Sequence, residues 1–392
     1  MKLLHVIPTL DPQAGGMSQA IKTMVSGLCA QKVQSEVLSF DEPDAVYLQD
    51  VSVPIHALGS GSGPWNYNQK IMVWLLENLS KYDVVINHGL WCYQGYALTK
   101  AMKQLKELHP GNTVPRLFVM PHGMLDPYFQ LAKDRKYKAW RNWVYWKLIE
   151  KRLIHAAEGL LFTCEEELIK GPFKPFMPKQ SLVVGLGVDR PPKYTAAMKM
   201  SFEKKVPGLK NSSYLLFLSR IHEKKGIDLL ITAYEKALMG GVTLAKLVIA
   251  GPGLDTPYGK KIQLKVFNDI LLRRNVIFSG MVSGAAKWGA FYGCEAFILP
   301  SHQENFGVAV VEALSCGKPV LISNQVNIWR EIKREGGCYV DDDTVEGTSR
   351  LLLQWKQTSP AQKELLSENA IKAFNKYFST AYAAKRLFAA IN

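Results

Sequence analysis

Apolar residues in this chain fall into short runs separated by amphipathic stretches, a pattern typical of alternating strands and helices. Residues 3–7 form the first apolar run, and a loop with Gly15 and Gly16 separates it from a helical pattern over residues 18–30. A strand, a glycine-bearing loop and a helix form the opening unit of a doubly wound parallel sheet. The alternation continues and predicts further strands at residues 35–40, 83–87, 117–120, 159–163 and 182–185.

A second alternating series follows a change in composition. Residues 190–213 lose the apolar pattern and collect Pro, Lys and Ser, which predicts a linker. Since 392 residues are too many for one hydrophobic core, we expect two domains. The sequence predicts an α/β fold of two Rossmann-like doubly wound domains, at residues 1–190 and 214–375. A C-terminal helix is expected at residues 376–392, with packing back on the first domain as one option.

The most informative stretch is residues 299–321, LPSHQENFGVAVVEALSCGKPVL. Its pattern predicts a buried strand, a polar loop, a helix that opens near Phe306, and a second strand. Gly307 places loop backbone at the helix N-terminus, where unpaired amides and the helix dipole favour a phosphate. Glu304 and Glu312 could accept hydrogen bonds from sugar hydroxyls beside that phosphate. The pattern therefore indicates a nucleotide-sugar site, and the alternative is an amphipathic helix with a surface glutamate.

A basic loop follows the first strand of the second series. Residues 219–226, SRIHEKKG, offer Arg220, Lys224 and Lys225 at the carboxyl end of that strand. An arginine supplies a planar fork and a lysine a point charge, and together they can hold a diphosphate. The alternative is a solvated basic loop.

Two His-Gly pairs follow strands of the first series, His88-Gly89 and His122-Gly123. Ligands of open α/β sheets bind at the carboxyl ends of the strands. A neutral imidazole there could orient a hydroxyl or polarise a leaving group. A purely structural histidine is the alternative for each pair.

The formal net charge of +14 calls for anionic partners: polyphosphate ligands, an anionic membrane surface or nucleic acid. Within residues 131–154, eight Lys or Arg side chains are interleaved with Trp140, Trp143, Tyr145 and Trp146. Such a mixture is typical of a helix that lies on an anionic membrane. The alternative is a helix that packs its aromatic side into the domain core.

The six cysteines are far apart and form no metal-like pair, which favours reduced thiols in a cytosolic protein. The first residues are too short for a signal peptide, and no apolar run approaches the ~18 residues that span a bilayer. We therefore expect a cytoplasmic protein, with peripheral binding to the inner face of the cell membrane as an extension of that expectation.

Together these motifs resemble the family 4 glycosyltransferases, retaining enzymes of the GT-B fold, whose two domains face each other across a cleft. The resemblance covers nearly the whole second domain and is patchy in the first. The matching features are a glycine loop after the first strand (Gly15-Gly16), a His-Gly pair (His122-Gly123), an Arg…Lys pair (Arg220 and Lys225), a G-x-G turn (Gly251 and Gly253), and the string from Pro300 to Val320 that contains Glu304 and Glu312.

The resemblance implies a role for each matching residue. It implies catalytic groups at His122, Glu304, Arg220 and Lys225, and donor-binding groups at Gly15, Gly16, Gly253, Asn305, Phe306, Gly307 and Glu312. Arg220 and Lys225 would bind the diphosphate, Glu304 the sugar hydroxyls and Glu312 the ribose. Family members need no metal, since positive side chains and the helix dipole replace it. The D-x-D at residues 341–343 could indicate a metal-dependent transferase of the other major fold, but it follows a strand late in the chain, and we interpret it as a polar loop.

The resemblance implies transfer of a hexose from a UDP- or GDP-linked sugar to a hydroxyl of a glycan or lipid-linked saccharide, with retention of configuration and no cofactor. Surface polysaccharide biosynthesis is the expected setting, with an anionic membrane surface as a further partner and no nucleic acid. Two alternatives belong to other classes: a non-catalytic nucleotide-sugar-binding protein of the same fold, and a basic nucleic-acid-binding protein.

Overall fold

The computed structural model describes residues 1–108, 114–126, 142–171, 178–209 and 212–392. The chain forms two compact units, one made of Met1–Gly187 with Thr380–Asn392, and the other of Val188–Ser379. Each unit is built around a sheet of parallel strands. This confirms the predicted fold class, an α/β protein with two Rossmann-like doubly wound sheets.

The first unit contains a seven-stranded sheet in the order β3-β2-β1-β4-β5-β6-β7. Its strand order reverses between β1 and β4, and we call such a place the switch point of a sheet. The sequence analysis missed β3, because an edge strand of three half-buried residues gives no apolar run. The strands are β1 (Lys2–Ile7), β2 (Gln34–Ser39), β3 (Ile55–Ala57), β4 (Val84–His88), β5 (Arg116–Met120), β6 (Gly159–Phe162) and β7 (Ser181–Val183).

Helices cover both faces of this sheet, because strands buried on both sides present apolar residues alternately to each face. Leu4 and Val6 of β1 belong to one buried cluster, and Ile7 belongs to the other. A π-helical turn at Trp146–Glu150 precedes the fourth helix. The helices are α1 (Gly16–Ala30), α2 (Lys70–Asn78), α3 (Tyr93–Leu108), α4 (Lys151–Ala156) and α5 (Glu165–Lys170).

The second unit contains a six-stranded sheet in the order β10-β9-β8-β11-β12-β13, with its switch point between β8 and β11. All of its paired strands are parallel. The strands are β8 (Tyr214–Leu218), β9 (Lys246–Ala250), β10 (Val276–Gly280), β11 (Ala296–Leu299), β12 (Val320–Ser323) and β13 (Cys338–Asp341).

The second unit contains nine helices among the described residues, and the first of them lies in the stretch that the sequence predicted as a linker. They are α6 (Ala196–Glu203), α7 (Ile227–Met239), α8 (Pro257–Asn268), α9 (Ile270–Asn275), α10 (Gly284–Gly293), α11 (Val308–Ser315), α12 (Trp329–Glu335), α13 (Val345–Gln357) and α14 (Pro360–Ala373).

Helix α6 overturns the interpretation of residues 190–213 as a linker. Met198 and Phe202 lie four positions apart on one helix face, and both are buried. The helix packs so closely on α10 that a side chain at Gly289 would collide with the carbonyl of Met198. The prediction was wrong because the Lys and Pro content of the segment hid this short apolar face.

The last helix, α15 (Thr380–Ile391), belongs to the first unit rather than to the second. A π-helical turn at Phe374–Phe378 ends the second unit, and extended backbone at Ser379 separates it from α15. The helix predicted at residues 376–392 is therefore interrupted near its start. Helix α15 packs on α1, where a side chain at Gly27 would meet Ala384.

Across the described part of the chain, none of the helices combines the length and the apolar character that crossing a bilayer requires.

Candidate active site

The switch point of the second unit brings together two loops that are far apart in the sequence. One follows β8 and spans residues 219–226, and the other follows β11 and spans residues 300–307. Because β8 and β11 are parallel neighbours, both loops leave the sheet at the same edge. Ligands of doubly wound sheets bind in the crevice at this position.

Hydrogen bonds and one close backbone approach hold the two loops against each other. The carbonyl of Lys224 accepts hydrogen bonds from the amide of His302 and the hydroxyl of Ser301, each at 2.8 Å. Gly226 has a left-handed backbone with φ of 64°, and any side chain there would collide with the carbonyl of Pro300. The relative position of the loops is therefore built into the backbone.

Lys225 and Glu304 form an ion pair across these loops. The ammonium of Lys225 donates a hydrogen bond to the Glu304 carboxylate, and the two side chains are only 13% and 21% exposed. The backbone of Glu304 is fixed as well, since its amide donates to the Gln325 carbonyl at 3.0 Å and its carbonyl accepts from the Asn327 amide at 2.9 Å. Two groups expected to contact different parts of one ligand thus lie in direct contact.

The helix that follows this loop begins at a glycine in the left-handed conformation. Gly307 has φ of 75° and supplies no side chain to cap helix α11, so no capping side chain blocks an anion from the amides that open the helix. Phe306 is buried and packs edge-on against Phe378, with ring centroids 5.9 Å apart. Phe306 therefore anchors the loop, while Asn305 beside it is half-buried.

Glu312 extends from α11 and is paired with a residue that the sequence analysis missed. Its Oε1 atom accepts a hydrogen bond from Lys287 Nζ at 2.7 Å, and the side chains of Glu312 and Lys287 are 13% and 26% exposed. Lys287 lies on α10, and its ammonium also sits 4.3 Å from the ring centroid of Trp288. No motif marks Lys287 in the sequence, and only the packing of α10 reveals it.

Arg220 is exposed directly after β8, beside the glycine turn of residues 250–253. Side chains at Gly251 and Gly253 would collide with the carbonyls of Ser219 and Ile221, respectively. The amide of Ile221 donates to the Pro252 carbonyl at 2.8 Å. Gly253 is therefore explained by the close approach of two loops, and its contact with a ligand stays a prediction.

In the first unit, Gly15 and Gly16 lie in the loop between β1 and α1, at the switch point of the sheet. Gly15 has φ of 123°, a conformation that favours glycine, and Gly16 is the first residue of α1. A Cβ atom at either position would meet nothing within 4 Å. The surroundings of this loop leave room for another molecule to approach its backbone.

His122 stands at the turn that follows β5, in a left-handed conformation with φ of 53°. The side chain is half-buried, and its desolvation lowers the pKa of His122 to about 4, so the imidazole is neutral at pH 7. The carboxylate of Glu167 accepts hydrogen bonds from the amides of Gly123 and Thr163 and thereby fixes this turn. Burial raises the pKa of Glu167. The sequence analysis missed Glu167, because it belongs to an unremarkable run of three glutamates.

His88 is completely buried at the end of β4. Its Nδ1 atom lies 2.9 Å from Nε2 of His122, and its Nε2 atom lies 2.9 Å from Nδ1 of His5. Burial, with smaller effects of His5 and His122, lowers the pKa of His88 well below its usual value. Of the two His-Gly pairs, only His122 offers surface to a ligand.

The D-x-D carboxylates are engaged with neighbouring side chains. Asp341 accepts hydrogen bonds from Arg350, Asp342 accepts one from Asn324 at 2.7 Å, and Asp343 lies 2.9 Å from Nδ1 of His302. Among the described residues, no group of three or more His, Cys, Asp or Glu side chains is arranged to hold a metal ion.

The basic–aromatic segment predicted over residues 131–154 lies partly outside the described residues. Lys133, Arg135, Lys136, Lys138, Trp140 and Arg141 belong to that undescribed part. In the described part, Tyr145 and Trp146 are buried, and Trp146 packs in the core of the first unit. The expectation of an interfacial anchor is therefore wrong for Trp146, because the π-helical turn directs it inward. Trp143 is 53% exposed.

In comparisons with known proteins, the second unit is similar to glycosyltransferases. Residues 199–373 match the family model of the glycosyl transferases group 1. An uncharacterized glycosyltransferase of Methanocaldococcus jannaschii, MJ1607, is 31% identical over 187 residues, which are 46% of this chain and 45% of that protein. The chain therefore spans less than half the length of this relative.

Two further comparisons cover most of the chain. O-antigen chain mannosyltransferase C of Escherichia coli is 19% identical over 353 residues, which are 88% of this chain and 84% of that protein. The crystal structure of Anabaena Alr3699/HepE in complex with UDP superposes with a TM-score of 0.74 at 14% identity, covering 100% of this chain and 99% of that one. This structural likeness shows the GT-B fold.

Proposed function

We propose that this chain, whose residues 199–373 match the family model of the glycosyl transferases group 1, is a retaining, metal-independent hexosyltransferase that uses a nucleoside diphosphate sugar. The observation that carries the proposal is the contact between Lys225 and Glu304 at the switch point of the second sheet. A cation for the diphosphate and a carboxylate for sugar hydroxyls are there adjacent, beside the open amides of α11.

The proposed reaction follows from these groups. The bond between the anomeric carbon and the diphosphate oxygen breaks while the acceptor oxygen bonds to that carbon on the same face. The acceptor proton passes to the departing phosphate. Arg220, Lys225 and the N-terminus of α11 stabilise the negative charge that develops on the leaving group, which is the part that a divalent cation plays elsewhere. Glu304 holds the sugar hydroxyls, and Glu312 the ribose.

The acceptor that we propose is a hydroxyl of a glycan or lipid-linked saccharide in surface polysaccharide biosynthesis. Support comes from the E. coli relative, whose name is that of an O-antigen chain mannosyltransferase. The solved Anabaena structure contains UDP, which supports a UDP-linked donor, and GDP is the second candidate. His122 is the candidate of the first unit for contact with the substrate.

Donor hydrolysis tests the proposal without knowledge of the acceptor. The chain is incubated with a panel of UDP- and GDP-hexoses in the presence of a chelator, and mass spectrometry detects free hexose and nucleoside diphosphate. We expect slow hydrolysis of at least one donor. Binding of a donor without turnover would instead indicate a non-catalytic nucleotide-sugar-binding protein. Nucleic-acid binding that falls steeply with salt would favour a basic nucleic-acid-binding protein.

We further propose a cytoplasmic enzyme that docks on an anionic membrane surface through the basic segment of residues 131–154. Each lysine or arginine near such a surface contributes about 1 kcal/mol. Replacing Lys133, Arg135, Lys136, Lys138 and Arg141 by Gln should abolish sedimentation with anionic vesicles while donor hydrolysis persists. A matched control replaces five basic residues of the second unit, Lys199, Lys236, Lys246, Lys260 and Lys261. Equal vesicle binding by both variants would refute docking through this segment.

A further inference from the structure

Three histidines of the first unit form a continuous chain across three neighbouring strands. His5 lies within β1, His88 ends β4, and His122 follows β5. Both imidazole–imidazole nitrogen distances in the chain are 2.9 Å, which is hydrogen-bond length. The ring centroids of each neighbouring pair lie 5.2 Å apart. The chain runs from the buried interior at His5 to the half-exposed turn at His122.

All three rings are neutral at pH 7. Burial lowers the pKa of His5 to about 3 and the pKa of His122 to about 4, and it lowers the pKa of His88 as well. A neutral imidazole has one nitrogen that donates and one that accepts. In a chain of three such rings, each of the two contacts needs one donor and one acceptor.

This requirement leaves only two arrangements of the protons. In one, every ring carries its proton on Nδ1, so that His5 donates to His88 and His88 donates to His122. In the other, every ring carries its proton on Nε2, and the donors point the opposite way. The tautomers of the three residues are therefore coupled, although His5 lies 83 positions before His88 in the sequence.

The buried end of the chain distinguishes the two arrangements. Nε2 of His5 is buried and has no hydrogen-bond partner among the residues that the structure describes. The second arrangement would place an N–H group at that position, and orphaned buried N–H groups are rare in proteins. The first arrangement leaves an unprotonated nitrogen there instead.

We propose that His5 and His88 are positioning residues that hold His122 in the tautomer with its proton on Nδ1. Nε2 of His122 accepts the hydrogen bond from His88, and Nδ1 presents a donor to an oxygen of the substrate. The consequence for catalysis rests on the proposed function, because it assigns that oxygen to a substrate of the glycosyl transfer. The tautomer itself does not depend on the proposed function.

Nitrogen NMR measures the tautomer directly. Protonated and unprotonated ring nitrogens have well-separated shifts, so long-range proton–nitrogen spectra of the chain with nitrogen-15 histidine identify each form. We expect proton signals on Nδ1 of His5, His88 and His122 at pH 7. A proton on Nε2 of His122, or averaging of the two forms there, would overturn the proposal.

A pair of isosteric variants tests the coupling. The side-chain amide in His5→Asn can donate to His88, as His5 does, whereas the carboxylate in His5→Asp only accepts and should reverse the chain. We expect His5→Asn to keep the proton on Nδ1 of His122 and to keep activity within a few-fold of wild type. In His5→Asp the proton should move to Nε2 of His122, with donor turnover reduced about 10²-fold, the cost of losing one transition-state donor.

A histidine outside the three-histidine chain serves as the control. His56→Asn removes a histidine of the same unit that pairs with Glu36, outside the chain, and should change neither the spectrum of His122 nor turnover. The same His122 tautomer in both His5 variants would refute the coupling. If His5→Asp fails to fold, the wild-type spectrum alone decides. If the protein shows the expected tautomers but hydrolyses no donor, the proposed function is rejected and this inference stands.

Discussion

The charged groups at the switch point of the second unit lie in partly exposed ion pairs, whereas the histidines at the switch point of the first unit are neutral and largely buried. Lys225 pairs with Glu304 in the second unit, while His5, His88 and His122 form a neutral chain in the first. A partly exposed cation attracts a charged diphosphate, and a neutral imidazole directs a hydrogen bond. The comparison teaches that one unit is suited to binding charge and the other to placing a donor.

The largest effect is expected when the ion pair of the second unit is removed. Lys225→Ala and Glu304→Ala should each lower donor turnover about 10²-fold or more, because each removes a group that acts on charge or hydroxyl placement in the transition state. Steady-state kinetics of each purified variant give the effect, and circular dichroism checks the fold. Lys265→Ala is a matched control, since it removes a lysine from an ion pair with Glu235 elsewhere in the same unit. Activity within a few-fold of wild type in either site variant would remove the assignment.

The next effect concerns the first unit, whose stability should depend on pH. Glu150 lies in the π-helical turn of the first unit, accepts a hydrogen bond from the Trp91 amide at 2.6 Å, and has its pKa raised by burial to about 8. Between pH 4.5 and about 8 the folded state keeps a proton on Glu150 that the unfolded state loses. The free energy of unfolding of the wild type should therefore fall as pH rises through that window.

Glu150→Gln should remove this slope, which for the wild type is about 1.4 kcal/mol for each pH unit within the window. Denaturant titrations at several pH values, followed by hydrogen exchange of β4 peptides, give the stability of the first unit. Glu77→Gln replaces an exposed glutamate on α2 and should leave the slope unchanged. Parallel pH profiles of wild type and Glu150→Gln would show that Glu150 is ionised in the folded protein.

A smaller effect is expected on the affinity of the second unit for a nucleotide. Glu312→Ala should weaken the binding of a free nucleoside diphosphate about tenfold, or roughly 1.4 kcal/mol, and reduce the rate of the bound complex much less, because a ribose contact is made equally in ground and transition states. Calorimetry with UDP and GDP measures the affinity. An unchanged affinity would mean that Glu312 serves only in its ion pair with Lys287.

The sequence indicated the grouping of side chains in the second unit more completely than the grouping in the first unit, for a physical reason. Glu304, Gly307 and Glu312 lie within nine consecutive positions, so one strand–loop–helix segment carries most of the site. His5, His88 and Glu167 each lie about eighty positions from the next along the chain, and of the three only His88 carries a sequence signal, its pairing with Gly89. Only the pairing of β1, β4, β5 and β6 brings such residues together.

The incorrect predictions about the fold have a similar origin. Short apolar faces surrounded by charged residues, such as Met198 and Phe202 in α6, are hidden by the composition of their segment. Trp146 looked like an interfacial residue because its neighbours in the sequence are basic, yet the register of the π-helical turn buries it. In both cases tertiary packing decided what local composition could not.

Hydrogen–deuterium exchange with and without a nucleoside diphosphate tests the central claim most directly, namely that the switch point of the second unit binds the donor. With saturating UDP or GDP, the account predicts slower exchange in peptides that cover residues 219–226 and 300–310, since the amides at the N-terminus of α11 would bind the phosphates. Peptides from α9, on a different part of the same unit, should be unaffected. Nucleotide binding that slows exchange elsewhere but not in these two loops would contradict donor binding at this switch point.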